Sequence, residues 1–265
     1  MKKLSDLPLA TRQAIRGVFT DIDDTLTSDG RLTSAAYAAM EALQDKGLLV
    51  VPITGRPAGW CDQIARLWPV DGVVGENGAF YFYYDRQAKR MHRFFADDAE
   101  TRKANRQRLM ALGNDVVTQV NGAAFSSDQA YRETDIAIDF CEDVPPLPRA
   151  SVDKILDLLV SKGVTVKVSS IHVNGWFGNY DKLTMTKLYI EHCHGLDLEN
   201  CETDFIFSGD SPNDAPMFKY FSHSVGVANV RDFDGQLDSP PAYITEGRGG
   251  AGFTEIADFL TSVRN

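Results

Sequence analysis

Residues 17–25 read Gly-Val-Phe-Thr-Asp-Ile-Asp-Asp-Thr, so a short apolar run ends in Asp21, Asp23 and Asp24, followed by Thr25. Carboxylates packed this densely repel one another at neutral pH and resist burial unless a cation joins them. Asp21 and Asp23 stand two residues apart, and in extended backbone side chains at that spacing leave the same side of the strand. Two carboxylates aimed at one point form a seat for a hard divalent ion such as Mg²⁺. They can also set a carboxylate nucleophile beside a carboxylic acid–base. An acidic turn after a buried strand uses the same residue types, so the stretch needs support from elsewhere in the chain.

Three further apolar runs end in polar residues: Ile53-Thr54-Gly55-Arg56-Pro57, Tyr180-Asp181-Lys182, and Phe205-Ile206-Phe207-Ser208-Gly209-Asp210-Ser211-Pro212-Asn213-Asp214. Taken singly, Thr54 and Gly55 could start a turn, Arg56 could be a surface cation, and Asp210 to Asp214 could cap a helix. Taken together they matter because, in a parallel sheet, ligands bind outside the carboxyl ends of the strands.

The elements around these runs predict such a sheet. Strands are expected at residues 18–22, 48–53 and 70–74, with helices at 34–45 and 58–67. The first helix carries Tyr37, Met40 and Leu43 at helical spacing, with Gly47 just beyond it. Strand and helix alternating with short links imply a parallel sheet covered by helices. The pattern resumes with a helix at 184–193, a strand at 204–208, a helix at 213–220, a strand at 224–227 and a last helix at 254–263. Between these blocks the chain changes character. An aromatic hairpin is expected at 79–84 and 90–95, a polar helix at 97–112, a half-exposed strand at 136–141, a helix at 151–161, and strands at 164–168 and 170–176. This reads as an α+β layer inserted into an α/β, Rossmann-like parallel-sheet core, with the core at 1–80 and 178–265 and the cap at 81–177.

Composition narrows the partners. The chain has 265 residues, 43% of them hydrophobic, and a formal charge of −10, which argues against nucleic acid or an anionic membrane. An anionic substrate would need local attraction from a metal, a lysine or backbone N–H groups. Cys61, Cys141, Cys193 and Cys201 have no zinc-like spacing and read as free thiols of a reducing compartment. The N-terminal residues lack an apolar stretch of signal-peptide length, and no window is apolar enough to span a membrane. The expected setting is the cytoplasm, as a monomer or homodimer.

In this order, the four polar stretches resemble the haloacid dehalogenase superfamily of aspartyl-phosphate hydrolases: Asp21-x-Asp23-x-Thr25, then Thr54 in Thr-Gly-Arg, then a lysine, then Gly-Asp-Ser-Pro-Asn-Asp. The position of the insertion is similar to the subfamily with a C2-type (IIB) cap, to which sugar-phosphate phosphatases belong, and residues 74–79 look like the stretch where such caps begin. The resemblance implies a Mg²⁺-dependent phosphatase acting on a sugar or glycosyl phosphate. Asp21 would be the nucleophile and Asp23 the acid–base. Asp21, Asp210, Asp214 and the main-chain carbonyl of Asp23 would be metal ligands. Thr54, Gly55, Arg56, Lys182 and Asn213 would contact the phosphorylated substrate. Lys182 is preferred over Lys187 because it sits where the chain enters a helix, level with the other strand ends. Asp24 is expected to point away. Tyr81, Tyr83, His172, Asn174 and Trp176 are candidate sugar contacts that could equally fill the core of the cap, and the role of the glycine-bearing loop 246–252 is open. Two other functions suit the same residues: a phosphosugar mutase, and a receiver module that is phosphorylated at Asp21 and signals without turnover.

Overall fold

The computed structural model describes residues 1–169 and 171–264. Its central sheet runs Lys2–Lys3, Tyr243–Ile244, Ser224–Gly226, Phe205–Gly209, Gly17–Thr20, Leu49–Pro52, every pairing parallel. The side-chain alternation of a strand explains why these strands are apolar throughout. Val18, Val50 and Ile206 enter one core with Met40, Leu43, Ile64 and Phe253. Phe19, Val51, Phe205 and Phe207 enter another with Met185, Tyr189, Ile190 and Phe218. The helices Ser34–Asp45, Ala58–Leu67 and Gly249–Thr261 pack against the first core, and Lys182–His194 and Ala215–Tyr220 against the second.

Register decides what happens at the strand ends. Thr20 lies opposite Ser208 on one side and Pro52 on the other. The next residues, Asp21, Ile53-Thr54 and Gly209-Asp210, therefore leave the sheet along one edge. Ser208 Oγ donates to Thr20 Oγ1 at 2.8 Å, and Asp21 N donates to Ser208 O at 2.9 Å. Buried polar groups thus lock the two acidic strand ends together.

The aromatic hairpin differs from its expected place in the inserted layer. Phe80–Asp85 and Arg90–Phe95 pair with each other and with Val73–Gly75, and an Ile53–Val74 bridge joins that strand to the central sheet. Phe80 and Phe82 enter the first core and Tyr81 the second. The hairpin is therefore an extension of the core layer, and its aromatic content reflects burial on both faces. We place the inserted unit between about residue 97 and residue 178. It starts with the helix Ala99–Gln119, which outlasts its predicted end.

The inserted unit has its own sheet, ordered Thr165–Val168, His172–Trp176, Asp135–Asp139, Ala124–Phe125 and antiparallel throughout. One face carries Ile136, Ile138 and Val173 and packs with Ile155, Leu159, Leu109 and Val116 from its helices. The other face carries Asp135, Asp139, His172, Asn174 and Trp176. The strand predicted at 136–141 was expected to be half exposed, yet all of Asp135–Asp139 is buried, because the polar face is closed against the core. The strand predicted from 170 begins on Ser170, which lies outside the described residues; the described strand is His172–Trp176. Two-residue strands at Lys2–Lys3 and Tyr243–Ile244 went unpredicted, being too short to show a period. Among the described residues no helix is long and apolar enough to cross a membrane, and all four cysteines are free thiols.

Candidate active site

Three carboxylates meet at the shared edge of the central sheet. Oxygens of Asp21, Asp210 and Asp214 lie within 4.8 Å of one another, and all three residues are buried. Lys182 Nζ donates to Asp21 Oδ1 at 2.7 Å and to Asp214 Oδ1 at 3.0 Å. Each group arrives on a different element. Asp21 follows its strand directly. Asp210 follows the strand Phe205–Gly209, Asp214 ends a one-turn 3₁₀ helix, Pro212–Asp214, and Asp210 N donates to Asp214 Oδ2 at 3.1 Å. Lys182 opens the helix Lys182–His194, whose N-terminal turn is capped by Asp181 accepting from Thr184 N at 2.7 Å.

Asp210 is held in turn by Thr25 and by a segment whose role the sequence left open. Thr25 Oγ1 donates to Asp210 Oδ1 at 3.2 Å, and Asn229 Nδ2 donates to Asp210 Oδ2 at 3.1 Å and to Asp24 O at 2.9 Å. Gly249 N donates to Asn229 Oδ1 at 2.9 Å. The loop 246–252 thus supports Asn229, and Asn229 orients Asp210. Asn229 lies beyond the strand expected at 224–227 and before the loop 246–252, in a stretch for which the sequence predicts no element, and no local signal marks it.

Electrostatics give the cluster its character. Burial pushes the Asp21 carboxyl up to about 7; Lys182 opposes this, while Asp214 and Asp23 reinforce it. Asp210 is pushed well above the usual carboxylate range by burial first, then by Asp214, Asp21 and Asp24. For Lys182, burial alone favours the neutral amine, but Asp21 and Asp214 outweigh it and hold the ammonium charged. One ammonium facing three buried carboxylates leaves excess negative charge, and the donors are all hard oxygens. This set fits a hard divalent cation.

Asp23 behaves differently from its expected place beside the metal ligands. Its carboxylate accepts from Arg56 Nε at 3.0 and 3.1 Å and from Nη2 at 2.8 Å. It lines the same pocket as Asp21 and Asp210, but its side chain is not in the three-carboxylate cluster. Arg56 also meets the inserted unit, with Nη2 at 3.2 Å from Glu142 Oε1 and Nη1 at 3.6 Å from Asp128 Oδ2. Glu142 in turn pairs with His172 at 2.9 Å. Thr54 is fully buried, and its Oγ1 accepts from Arg56 N at 3.0 Å, shaping the turn. The pocket wall there is Gly55 and Arg56. Asn213 lines the pocket and accepts from Ser211 Oγ at 2.7 Å. Lys187 lies on the outer surface, paired with Glu199. Asp24 occupies a left-handed turn at φ 57°, its N–H bonded to Thr27 Oγ1.

Of the candidate sugar contacts, His172 and Asn174 line the pocket. Trp176 is buried, stacks on Tyr180 and lines an adjoining chamber beside Lys182. Tyr81 and Tyr83 do not reach the site: Tyr81 Oη bonds His192 Nδ1 at 3.0 Å and Tyr83 stacks on His92, both on the hairpin side of the core. Their displacement follows from the hairpin belonging to the core layer.

Two buried ties between core and insertion were not foreseen. Glu76, entirely inaccessible, accepts from Ala58 N and Glu133 N at 2.9 Å each, from Thr134 N at 2.6 Å and from Thr134 Oγ1. Arg132 Nη1 donates to Gly55 O at 3.0 Å and to Asp135 at 3.0 and 3.1 Å. The signal available for Glu76 was a charged residue directly after a buried apolar strand, ahead of Asn77-Gly78.

Similarity to known proteins agrees with this geometry. A family model described as haloacid dehalogenase-like hydrolase matches residues 18–138. A phosphoglycolate phosphatase from Methanococcoides burtonii is 24% identical over 251 residues, covering 94% of this chain and 97% of that one. Among solved structures, the sucrose-phosphatase of Synechocystis superposes with a TM-score of 0.63 at 19% identity, covering 92% of this chain and 98% of that one. The C-terminal domain of Candida albicans trehalose-6-phosphate phosphatase gives 0.71 at 16% identity, covering 98% of this chain and 97% of that one. The four polar stretches of the sequence thus gather at one edge of a parallel sheet under an inserted α+β layer, and over residues 18–138 the chain is similar to the haloacid dehalogenase-like hydrolases.

Proposed function

We propose that this enzyme is a Mg²⁺-dependent phosphatase that hydrolyses a small sugar or glycosyl phosphate through a phospho-aspartate on Asp21. The observation that carries this reading is the buried cluster in which Lys182 bridges Asp21 and Asp214 while Asp210 lies within 4.8 Å. An Asp21 oxygen attacks phosphorus, the ester P–O bond breaks, and the leaving alkoxide takes a proton from the Asp23 carboxyl. Asp23 then removes a proton from water, the hydroxide attacks phosphorus, and inorganic phosphate leaves with Asp21 restored. Lys182 holds charge against the nucleophile and the phosphoryl oxygens, since phosphoryl transfer depends mostly on alignment and neutralisation. Asp21, Asp210 and Asp214, with the main-chain carbonyl of Asp23 that the family resemblance adds, would hold Mg²⁺, which supplies positive charge opposite the phosphoryl oxygens.

The wall facing this site bears on the leaving group. The inserted unit contributes Arg132, Ser169, Ile171, His172 and Asn174 to the pocket. The two guanidinium groups of the pocket, Arg56 from the core and Arg132 from the inserted unit, are already matched: Arg56 with Asp23, Asp128 and Glu142, Arg132 with Asp128 and Asp135. Carboxylates outnumber cations there, so a leaving group carrying its own carboxylate meets a repulsive wall. A neutral polyhydroxylated group meets amide, hydroxyl, imidazole and carboxylate partners for its hydroxyls. This favours a sugar phosphate over 2-phosphoglycolate, the substrate named for the sequence relative.

Phosphate release from a panel of hexose and disaccharide phosphates, 2-phosphoglycolate and p-nitrophenyl phosphate tests both parts. Turnover that is greatest on a sugar phosphate, lost in EDTA and restored by Mg²⁺ is expected. Inertness across the panel overturns the hydrolase reading, and a preference for 2-phosphoglycolate overturns the leaving-group reading. A mutase would release little phosphate and would need a bisphosphate activator.

A further inference from the structure

Between Val73–Gly75 and the hairpin, three consecutive residues take left-handed backbone: Glu76 at φ 41°, Asn77 at φ 57° and Gly78 at φ 103°. Glycine tolerates this and asparagine does so more readily than most residues, but glutamate does not. Such strain persists where the surroundings over-determine it. Here they do. The Glu76 carboxylate is held by backbone N–H groups of Ala58, Glu133 and Thr134, and Asn77 N donates to Thr54 O at 3.1 Å. A Cβ on Gly78 would lie 2.0 Å from Asp181 O, beside the start of the Lys182 helix.

The outcome of this arrangement is the placement of one side chain. Asn77 is 7% exposed, and its Nδ2 has no hydrogen-bond partner among the described residues. It lines the pocket with Asp21, Gly55 and Asp210, and it also lines the adjoining chamber with Lys182 and Asn213. Its amide lies flat against Gly55, where a Cβ would meet Nδ2 and Oδ1 at 3.2 Å each, so Gly55 makes room for it. A buried amide donor without an acceptor is costly unless a ligand satisfies it.

We propose that Asn77 is a phosphate-binding residue whose Nδ2 donates to a non-bridging phosphoryl oxygen, completing a cradle begun by Lys182 and the Gly55 turn. This rests on the phosphatase reading and adds to it a residue that none of the four signatures contains. The acceptor is assigned to the phosphoryl group because Asn77 is fixed to the core through Thr54 and flanked by Lys182 and Asn213. A charge-assisted bond to a phosphate oxygen is also stronger than one to a hydroxyl.

Asparagine here could serve only the left-handed backbone, and two substitutions separate the roles. Asn77→Gly keeps that backbone without strain and deletes the amide. Asn77→Asp keeps shape and backbone but replaces the donor with an anion. Inorganic phosphate binding is measured by calorimetry in the presence of Mg²⁺, with thermal melting as the control for folding. Wild-type enzyme is expected to bind phosphate. Asn77→Gly should melt within a few degrees of wild type yet bind phosphate about tenfold or more weakly. Asn77→Asp should bind still more weakly, and kcat/KM should fall for every phosphate ester whatever its leaving group. Wild-type phosphate affinity in Asn77→Gly, or a loss confined to one leaving group, overturns the assignment of Asn77 and leaves the phosphatase reading intact. Failure of the wild-type protein to bind phosphate overturns both.

Discussion

Lys182 shows how much one side chain does here. Its ammonium is buried and bonded to both Asp21 and Asp214. Lys182→Met leaves two buried carboxylates without that partner, and removing one member of a buried pair costs about 3–5 kcal/mol. Denaturant unfolding should report a loss of that size, with turnover lost as well; an unchanged midpoint would mean the pairing is not formed in solution. Asp23 poses the opposite case. It is held by Arg56 outside the carboxylate cluster, so Asp23→Asn should leave folding and divalent-cation binding near wild type while kcat falls by about 10²–10⁴-fold. Unchanged turnover would remove Asp23 from acid–base work. These residues were readable from the chain because their spacing and the apolar runs before them are local features. The partner of Asp23 was not, since the Arg56–Asp23 contact spans 33 positions.

At the level of elements, the connection through residues 76–78 joins the core sheet, the helix Ala58–Leu67 and the inserted unit. Glu76→Ala strips acceptors from the N–H groups of Ala58, Glu133 and Thr134. Buried donors left unpaired cost about 1–3 kcal/mol each. A fall in melting temperature of roughly 6 °C or more follows for a chain of this size, together with faster proteolysis near residues 126–134; a change under a degree or two would contradict the role. The Glu142 bridge is sensitive to pH. Its bond to His172, opposed by burial and supported by Arg56, lowers its carboxyl from 4.5 to about 2. A carboxyl depressed on folding stabilises the fold above its unfolded value, and that contribution disappears as pH falls through the folded value. The stability difference between wild type and Glu142→Gln should therefore stay constant above about pH 4.5 and shrink between 4.5 and 2. Periodicity located the helices Ser34–Asp45 and Ala58–Leu67 to the residue. It could not say that the hairpin Phe80–Asp85 and Arg90–Phe95 joins the core layer, because both homes bury the same aromatics.

Across the whole molecule, a parallel sheet gathers distant carboxylates at one edge, and an antiparallel sheet lowers a polar face over them. The edge was legible because the apolar runs of a parallel sheet stop where polar chemistry begins. The facing wall was legible only at His172 and Asn174; Arg132 and Glu142 gain meaning only when the inserted unit closes on the core. The net charge of −10 makes local neutralisation necessary for an anionic substrate. The most direct test compares phosphate release by wild-type enzyme and by Asp21→Asn on the best sugar phosphate, with Mg²⁺ present and both proteins shown to be folded. Steady release by the wild type and none above background by the variant is the predicted result. Comparable release by Asp21→Asn would contradict an attack on phosphorus by Asp21, and with it the account of the site.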